Sequence, residues 1–238
     1  MSTPVAVSSQ PGYSPFPGHD SLNSSGLTNN SSGSGGKRVC LMFGSSITTR
    51  VEEDRMSKGS RVVVNLSKSG AKICDLHKYA NDFCLGNADI VSNVDKIIVN
   101  IGTNDVKWFN GCRFSVFKRF KVPLLNLVKD LKFRFPLANI SFITMLPIRA
   151  LYNYTAETVN QFNLLLLEVC KMTGCEFFDC FGDFLDVDLR DYNYSLFRDK
   201  WHLNEHGLKL LCRALKYIIF GNTFRSHMRT YWRRPFYS

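Results

Sequence analysis

Short apolar runs alternate with longer amphipathic stretches from about residue 37 onward. Residues 39–43 form an apolar run that ends in Gly44-Ser45-Ser46. Residues 61–66 (RVVVNL) are β-branched and lead into Ser67-Lys68-Ser69-Gly70. Residues 96–101 (KIIVNI) end in Gly102-Thr103-Asn104-Asp105, and residues 140–145 end at Leu146-Pro147. Residues 175–178 make a shorter fifth run. Runs of four to six apolar residues bounded by turn chemistry are what strands buried on both faces look like. Between them the period changes. Residues 114–135 predict a long helix with a break near Pro123. Residues 156–172 carry Val159, Phe162, Leu166 and Val169 on one face. Residues 204–220 place Leu208, Leu211, Cys212, Leu215 and Ile219 at helical spacing. Strand-helix alternation of this kind predicts an α/β fold, a parallel sheet of about five strands with helices on both faces.

Residues 1–36 differ in kind. They are rich in Ser, Gly, Pro and Asn and contain one charged residue, Asp20. Such a segment has too little apolar surface to offset the entropy of ordering, so it reads as a disordered tail. The domain then spans residues 37–222, and residues 223–238 form a second tail. No basic n-region followed by an apolar h-region opens the chain, and no uninterrupted apolar run is long enough to cross a bilayer.

In an open parallel sheet, ligands bind beyond the carboxyl ends of the strands. The polar, glycine-containing clusters fall there, after the first three runs. Together they bring a serine hydroxyl, glycine backbone N–H groups and an Asn side chain to one edge. Those are the parts of acyl transfer: a nucleophile and oxyanion donors, each typically worth ~10²–10³-fold in rate. A base and its orienting acid are still needed. The stretch "RDKWHLNEHG" (residues 198–207) offers two readings. His202, Glu205 and His206 spell H-x-x-E-H, a zinc peptidase pattern. Asp199 and His202 spell D-x-x-H, suited to a serine hydrolase. Asn204 is a good helix N-cap, which leaves His202 on a loop, and Gly207 disfavours a rigid helical turn there. Both features go against zinc and make His206 a bystander.

Four short blocks therefore stand in order: "FGSSIT", "SKSG", "GTND" and "DKWH". In that order they resemble the SGNH/GDSL hydrolase superfamily. The resemblance implies a three-layer α/β/α sandwich, flavodoxin-like in topology, and a serine esterase that needs no cofactor or metal. It assigns Ser46 as nucleophile, His202 as general base and Asp199 as its orienter. The backbone N–H groups of Ser46 and Gly70, with the Asn104 side chain, would form the oxyanion hole. One position departs from the family: Ser45 stands where the family has a loop-supporting Asp. The wording of "SGAKI", "VNIGTNDV" and "RDKWHLNEHG" is most similar to esterase-like domains of retrotransposon-type proteins in animals. The expected substrate is an acyl ester of a lipid, an acetyl ester or an acylated sugar. The segment 147–155, with Tyr152 and Tyr154, is expected to line the acyl site.

Plainer readings exist for each residue. Ser46 would serve as a helix N-cap, Asn104-Asp105 as an Asx turn, Gly70 as a left-handed loop residue and His202 as a surface histidine.

Charge changes the picture in one respect. The net charge is +10, which favours acidic partners such as nucleic acid. Arg113, Lys118, Arg119, Lys121, Lys129, Lys132 and Arg134 crowd one helix with Asp130 alone against them, and read first as a solvated face. The C-terminal tail interleaves Arg225, Arg229, Arg233 and Arg234 with aromatics including Trp232. That pattern suits RNA or single-stranded DNA, or a tail packed back on the domain. The alternative function is accordingly an esterase-like domain of a nucleic-acid-binding, retroelement-type protein with weak or vestigial catalysis. The eight cysteines form no C-x-x-C pair. In a chain large enough to need no staples they read as reduced thiols in an intracellular, cytoplasmic setting.

Overall fold

In the computed structural model the chain divides at Gly35/Gly36. The structure describes residues 36–107, 109, 113–147, 156–186 and 193–221, all on the Gly36 side. The expected N-terminal tail, the C-terminal tail with Arg225, Arg229, Trp232, Arg233 and Arg234, and the segment 147–155 apart from Pro147 lie outside the described residues.

Five strands form: β1 (Arg38–Gly44), β2 (Arg61–Asn65), β3 (Val94–Asn100), β4 (Asn139–Ile143) and β5 (Glu176–Phe178). They make one sheet in the order β2-β1-β3-β4-β5, and every neighbouring pair is parallel. Side chains along a strand alternate between faces. Val39, Leu41, Phe43, Ile97, Val99 and Phe142 bury into one core. Cys40, Met42, Ile98 and Ile143 bury into another. Helices α2 (Ile73–Gly86), α4 (Arg113–Arg134) and α5 (Ala156–Thr173) cover the first face. Helix α6 (Glu205–Phe220) covers the second through Leu211, Leu215, Ile218 and Ile219, beside Met56 of the short α1 (Glu53–Met56). The result is the expected three-layer α/β/α sandwich.

The chain leaves β1 for β2 on one side and returns to β3 on the other. The crevice at the carboxyl ends of β1 and β3 is the topological switch point of this strand order, where doubly wound sheets bind ligands. The segment after β1 and the short α3 (Thr103–Val106) after β3 flank it.

Three local expectations need correction. The helix at residues 114–135 does not break: α4 runs through Pro123. Proline removes the bond its N–H would make to Arg119, a cost of ~3 kcal/mol. Val116, Phe120, Leu124, Leu127, Val128 and Leu131 are buried on both sides of it. At ~1.5–3 kcal/mol per buried side chain, that packing outweighs the lost bond. Gly207 does not interrupt helix formation either; it lies inside α6. A Cβ there would sit 2.2 Å from the Leu196 carbonyl oxygen, so only glycine lets the first turn pass beneath that loop. The third correction is α2, which sequence patterning did not foresee. Its buried residues Ile73, Leu76, Ala80 and Phe83 carry a helical period, but Lys72 precedes them where a Ser, Thr, Asp or Asn cap would have flagged a start.

The basic face of α4 is not simply solvated. Lys121 pairs with Glu168 of α5 at 2.6 Å, and Lys132 donates to the Thr173 carbonyl at 2.5 Å. Arg134 pairs with Asp130 at 2.9 Å and donates to Asn81 of α2 at 3.0 Å. Three of these charges are therefore tied to groups on α4 or on the neighbouring helices. The seven described cysteines are free thiols. Burial pushes Cys40, Cys170 and Cys180 up to about 12, which makes them inert packing groups. No described helix is long and apolar enough to cross a membrane.

Candidate active site

The turn after β1 is built by glycine and threonine. A Cβ on Gly44 would meet Thr48 Oγ1 at 2.1 Å, so glycine is required there. Thr48 folds the turn back by donating its N–H (3.1 Å) and its hydroxyl (3.2 Å) to the Ser45 carbonyl. Its Oγ1 also lies 2.9 Å from Ser67 Oγ in the loop after β2. Ser46 is half-buried in this turn, not at the start of a regular helix. Its carbonyl accepts the Thr49 hydroxyl at 3.0 Å. A polar depression of about 500 Å³ lies further along the chain, lined by residues 49–54 and Asn65 and not by Ser46.

The loop after β2 is stitched to β1 beyond the strand's end. Lys68 N–H donates to the Gly44 carbonyl at 3.1 Å. Gly70 follows with φ +80, exposed, and with open space where a Cβ would stand. The left-handed reading of Gly70 is thus correct as far as backbone goes. The same conformation leaves its N–H without a partner among the described residues, as is the Ser46 N–H.

After β3, Gly102 adopts φ +117, and a Cβ there would lie 2.2 Å from the Phe162 ring. Both facts demand glycine. Asn104 Nδ2 donates one hydrogen to the Ala71 carbonyl at 3.0 Å, which fixes the amide plane and leaves its second hydrogen available. Asp105 does something sequence reading did not assign. Both its oxygens accept the Ile73 N–H, at 3.0 and 3.2 Å, so it caps α2 from another loop. Burial pushes its carboxyl up to about 6, against the lowering effect of that N–H.

The loop before α6 holds Asp199 and His202 together. His202 Nδ1 lies 2.9 and 2.8 Å from the two Asp199 oxygens. Asp199 Oδ1 also accepts the Trp201 and His202 N–H groups at 2.8 and 2.9 Å. Partial burial works against ionisation of Asp199, but the Trp201 N–H, the His202 ring and the His202 N–H outweigh it and hold the carboxyl down at about 2. An ionised acceptor on Nδ1 keeps the proton on that nitrogen and leaves Nε2 with a lone pair. Asn204 caps α6, accepting the His206 and Gly207 N–H groups at 2.9 and 3.1 Å. His202 is therefore outside the helix, while His206 is exposed in its first turn and Glu205 is bound to Arg50. The geometry of an H-x-x-E-H zinc helix is not formed. Among the described residues no three His, Cys, Asp or Glu side chains gather as a metal-holding group.

Cross-links bring the four loops to one edge. Lys107, one residue past α3, places Nζ 4.8 Å over the Trp201 ring. Arg50, four residues after Ser46, donates to the Leu203 carbonyl at 3.0 Å. Ser46 Oγ and His202 Nε2 are not hydrogen-bonded to each other. Ser45 is fully buried, and its hydroxyl has no hydrogen-bond partner among the described residues.

This arrangement agrees with what the chain is similar to. A comparison with curated proteins found no match. Among solved structures, a provisionally named platelet activating factor from Streptococcus pneumonia superposes with a TM-score of 0.64 at 22% identity, covering 77% of this chain and 85% of that one. An acetylxylan esterase from Geobacillus stearothermophilus gives 0.60 at 20% identity, covering 78% and 95%. A lipase/acylhydrolase from Enterococcus faecalis gives 0.60 at 17% identity, covering 77% and 96%. At these identities the likeness is one of fold. The model of the GDSL-like lipase/acylhydrolase family matches residues 36–210. Four ordered blocks, a flavodoxin-like sheet and that match over most of the chain lead to one conclusion: this protein belongs to the GDSL-like lipase/acylhydrolase family.

Proposed function

We propose that the chain is a serine esterase that hydrolyses a carboxylic ester through an acyl-enzyme. The observation that carries this reading is the Asp199–His202 pair, with the imidazole Nδ1 within 2.9 Å of both carboxylate oxygens. A histidine held this way presents Nε2 as a base of defined tautomer.

Ser46 Oγ attacks the ester carbonyl as its proton passes to His202 Nε2. The developing oxyanion receives the unpartnered N–H groups of Ser46 and Gly70 and the second Nδ2 hydrogen of Asn104. The tetrahedral intermediate collapses, the alcohol leaves with the proton from His202, and the acyl group stays on Ser46 Oγ. Water, deprotonated by His202, then attacks the acyl-enzyme and releases the acid. In resting enzymes the bond between nucleophile and base is often long and tightens only when substrate binds.

Activity toward p-nitrophenyl acetate, with labelling of Ser46 by a fluorophosphonate, tests the reading. Wild type is expected to turn over and to be labelled; Ser46→Ala is expected to do neither. Equal turnover by the two proteins would sink the proposal.

A further inference from the structure

Arg50 joins two parts of the site that lie far apart in sequence. It sits four residues after Ser46, on the same turn. Its Nη1 donates to the Leu203 carbonyl at 3.0 Å and its Nη2 to Glu205 Oε1 at 2.5 Å, across 153 and 155 residues. Leu203 follows His202 directly, and Glu205 is the first residue of α6. Ile47 and Leu203 pack in one core beneath the link.

The loop carrying Asp199 and His202 is thus gripped from both strands that flank the switch point. Lys107, from the β3 side, lies over the face of Trp201, a contact that tolerates sliding. Arg50, from the β1 side, is a planar fork with two directed bonds. The two directed bonds of Arg50 define a distance between the serine turn and the histidine.

We propose that Arg50 is the positioning residue that sets the separation of Ser46 Oγ from His202 Nε2. The proposal rests on the reading of those two as nucleophile and base. Magnitudes favour a role in placement over one in folding. The Arg50 and Glu205 side chains are 38% and 69% exposed, and exposed pairs contribute little to stability. A shift of about 1 Å in a reacting group, by contrast, costs on the order of 100-fold in rate.

The test compares Arg50→Gln, Arg50→Lys and Glu205→Gln in the full chain. With p-nitrophenyl acetate, Arg50→Gln is expected to lower kcat by roughly 10–100-fold and to leave KM within about twofold. Arg50→Lys should recover part of kcat through one of the two bonds. Glu205→Gln, which keeps an acceptor and the Leu203 bond, should stay within about threefold of wild type. Amide hydrogen exchange supplies a readout independent of turnover. The Trp201 and His202 amides, bonded to Asp199, should exchange faster in Arg50→Gln, with β1 and β3 unchanged. An unchanged kcat in Arg50→Gln, or a loss confined to KM, overturns the proposal. A wild type that neither turns over esters nor labels at Ser46 refutes the esterase reading instead. In that case faster exchange still upholds the Arg50 clamp, and unchanged exchange removes it.

Discussion

Both carboxylate oxygens of Asp105 accept the N–H of Ile73, at 3.0 and 3.2 Å. This bond caps a helix on one loop with a side chain from another. It also ties the loop of Gly70 to that of Asn104. Its electrostatics are unusual, because burial pushes Asp105 up to about 6 from 3.8.

The sign of the consequence follows from linkage. A folded value above the unfolded one means that the native state holds its proton more tightly. The contribution of Asp105 is fully present below pH 3.8 and is lost as pH rises through about 6. The amount is on the order of 3 kcal/mol. Asp105→Asn retains an acceptor for Ile73 and removes the charge. Urea unfolding followed from pH 4 to 7 should show a flatter profile for the variant, with stability at pH 7 equal to or above wild type. Asp105→Ala leaves the Ile73 N–H uncapped and should cost about 1–2 kcal/mol. An unaltered pH slope in Asp105→Asn would contradict a carboxyl raised by burial.

Asp199 has the opposite sign. Its folded value of about 2 lies below the ordinary 3.8. Its contribution is present above pH 3.8 and disappears as pH falls toward 2. Asp199→Asn keeps the shape of the loop but offers Nδ1 a neutral amide, which removes the ionised acceptor that fixes the tautomer. Expected is a fall in kcat of roughly 10²–10⁴-fold at neutral pH with the far-ultraviolet spectrum unchanged. A loss below tenfold would show that Asp199 does not orient the base.

Two glycines should separate stability from activity. Gly102→Ala must accommodate φ +117 and a Cβ 2.2 Å from Phe162. It should destabilise by about 2–4 kcal/mol or prevent folding. Gly70→Ala has open space around its Cβ but keeps the strain of φ +80, a cost of about 1–2 kcal/mol. Relieving that strain turns the residue 70 N–H, so kcat should fall by at least tenfold while the thermal midpoint moves only a few degrees. Normal turnover in Gly70→Ala would remove its N–H from the oxyanion hole.

Ser45 offers a test of the one departure from the family blocks. Its hydroxyl is buried without a partner among the described residues. Ser45→Ala should therefore be neutral or stabilising by up to about 1 kcal/mol. Ser45→Asp would bury a carboxylate in a pocket that offers no hydrogen bond to the present side chain, and should cost several kcal/mol. Chemical denaturation of the three proteins decides it. A more stable Asp variant would mean that the loop still holds the donors an aspartate needs.

The Arg and aromatic residues of the C-terminal tail lead to a separate expectation. With a net charge of +10, the full chain should bind single-stranded RNA in a salt-dependent way. Removal of residues 223–238 should weaken binding and lower the salt slope by about three to four, one for each arginine lost. Binding unchanged by truncation would assign the charge to another role.

Much of this protein was legible along the chain because its determinants are local. Buried parallel strands are continuous apolar runs, so all five appear in the sequence within one or two residues of their observed limits. Each of the four polar blocks sits directly at a strand end or before the last helix, so their convergence follows from strand direction alone. Asn204 announces the start of α6 with its own side chain. The rest depended on partners distant in sequence. Helix α2 starts after Lys72, whose N–H Asp75 accepts locally at 2.8 Å, while Asp105 accepts the next N–H, that of Ile73, from α3. Helix α4 passes through Pro123 because apolar burial on both sides offsets a missing bond. Position 207 must be glycine because of a carbonyl eleven residues upstream. Arg50 meets Leu203 and Glu205 across more than 150 residues. A hydrophobic period and a cap are written in neighbouring residues. A trans cap, a clamp or a close backbone approach exists only once the sheet has brought its loops to one edge.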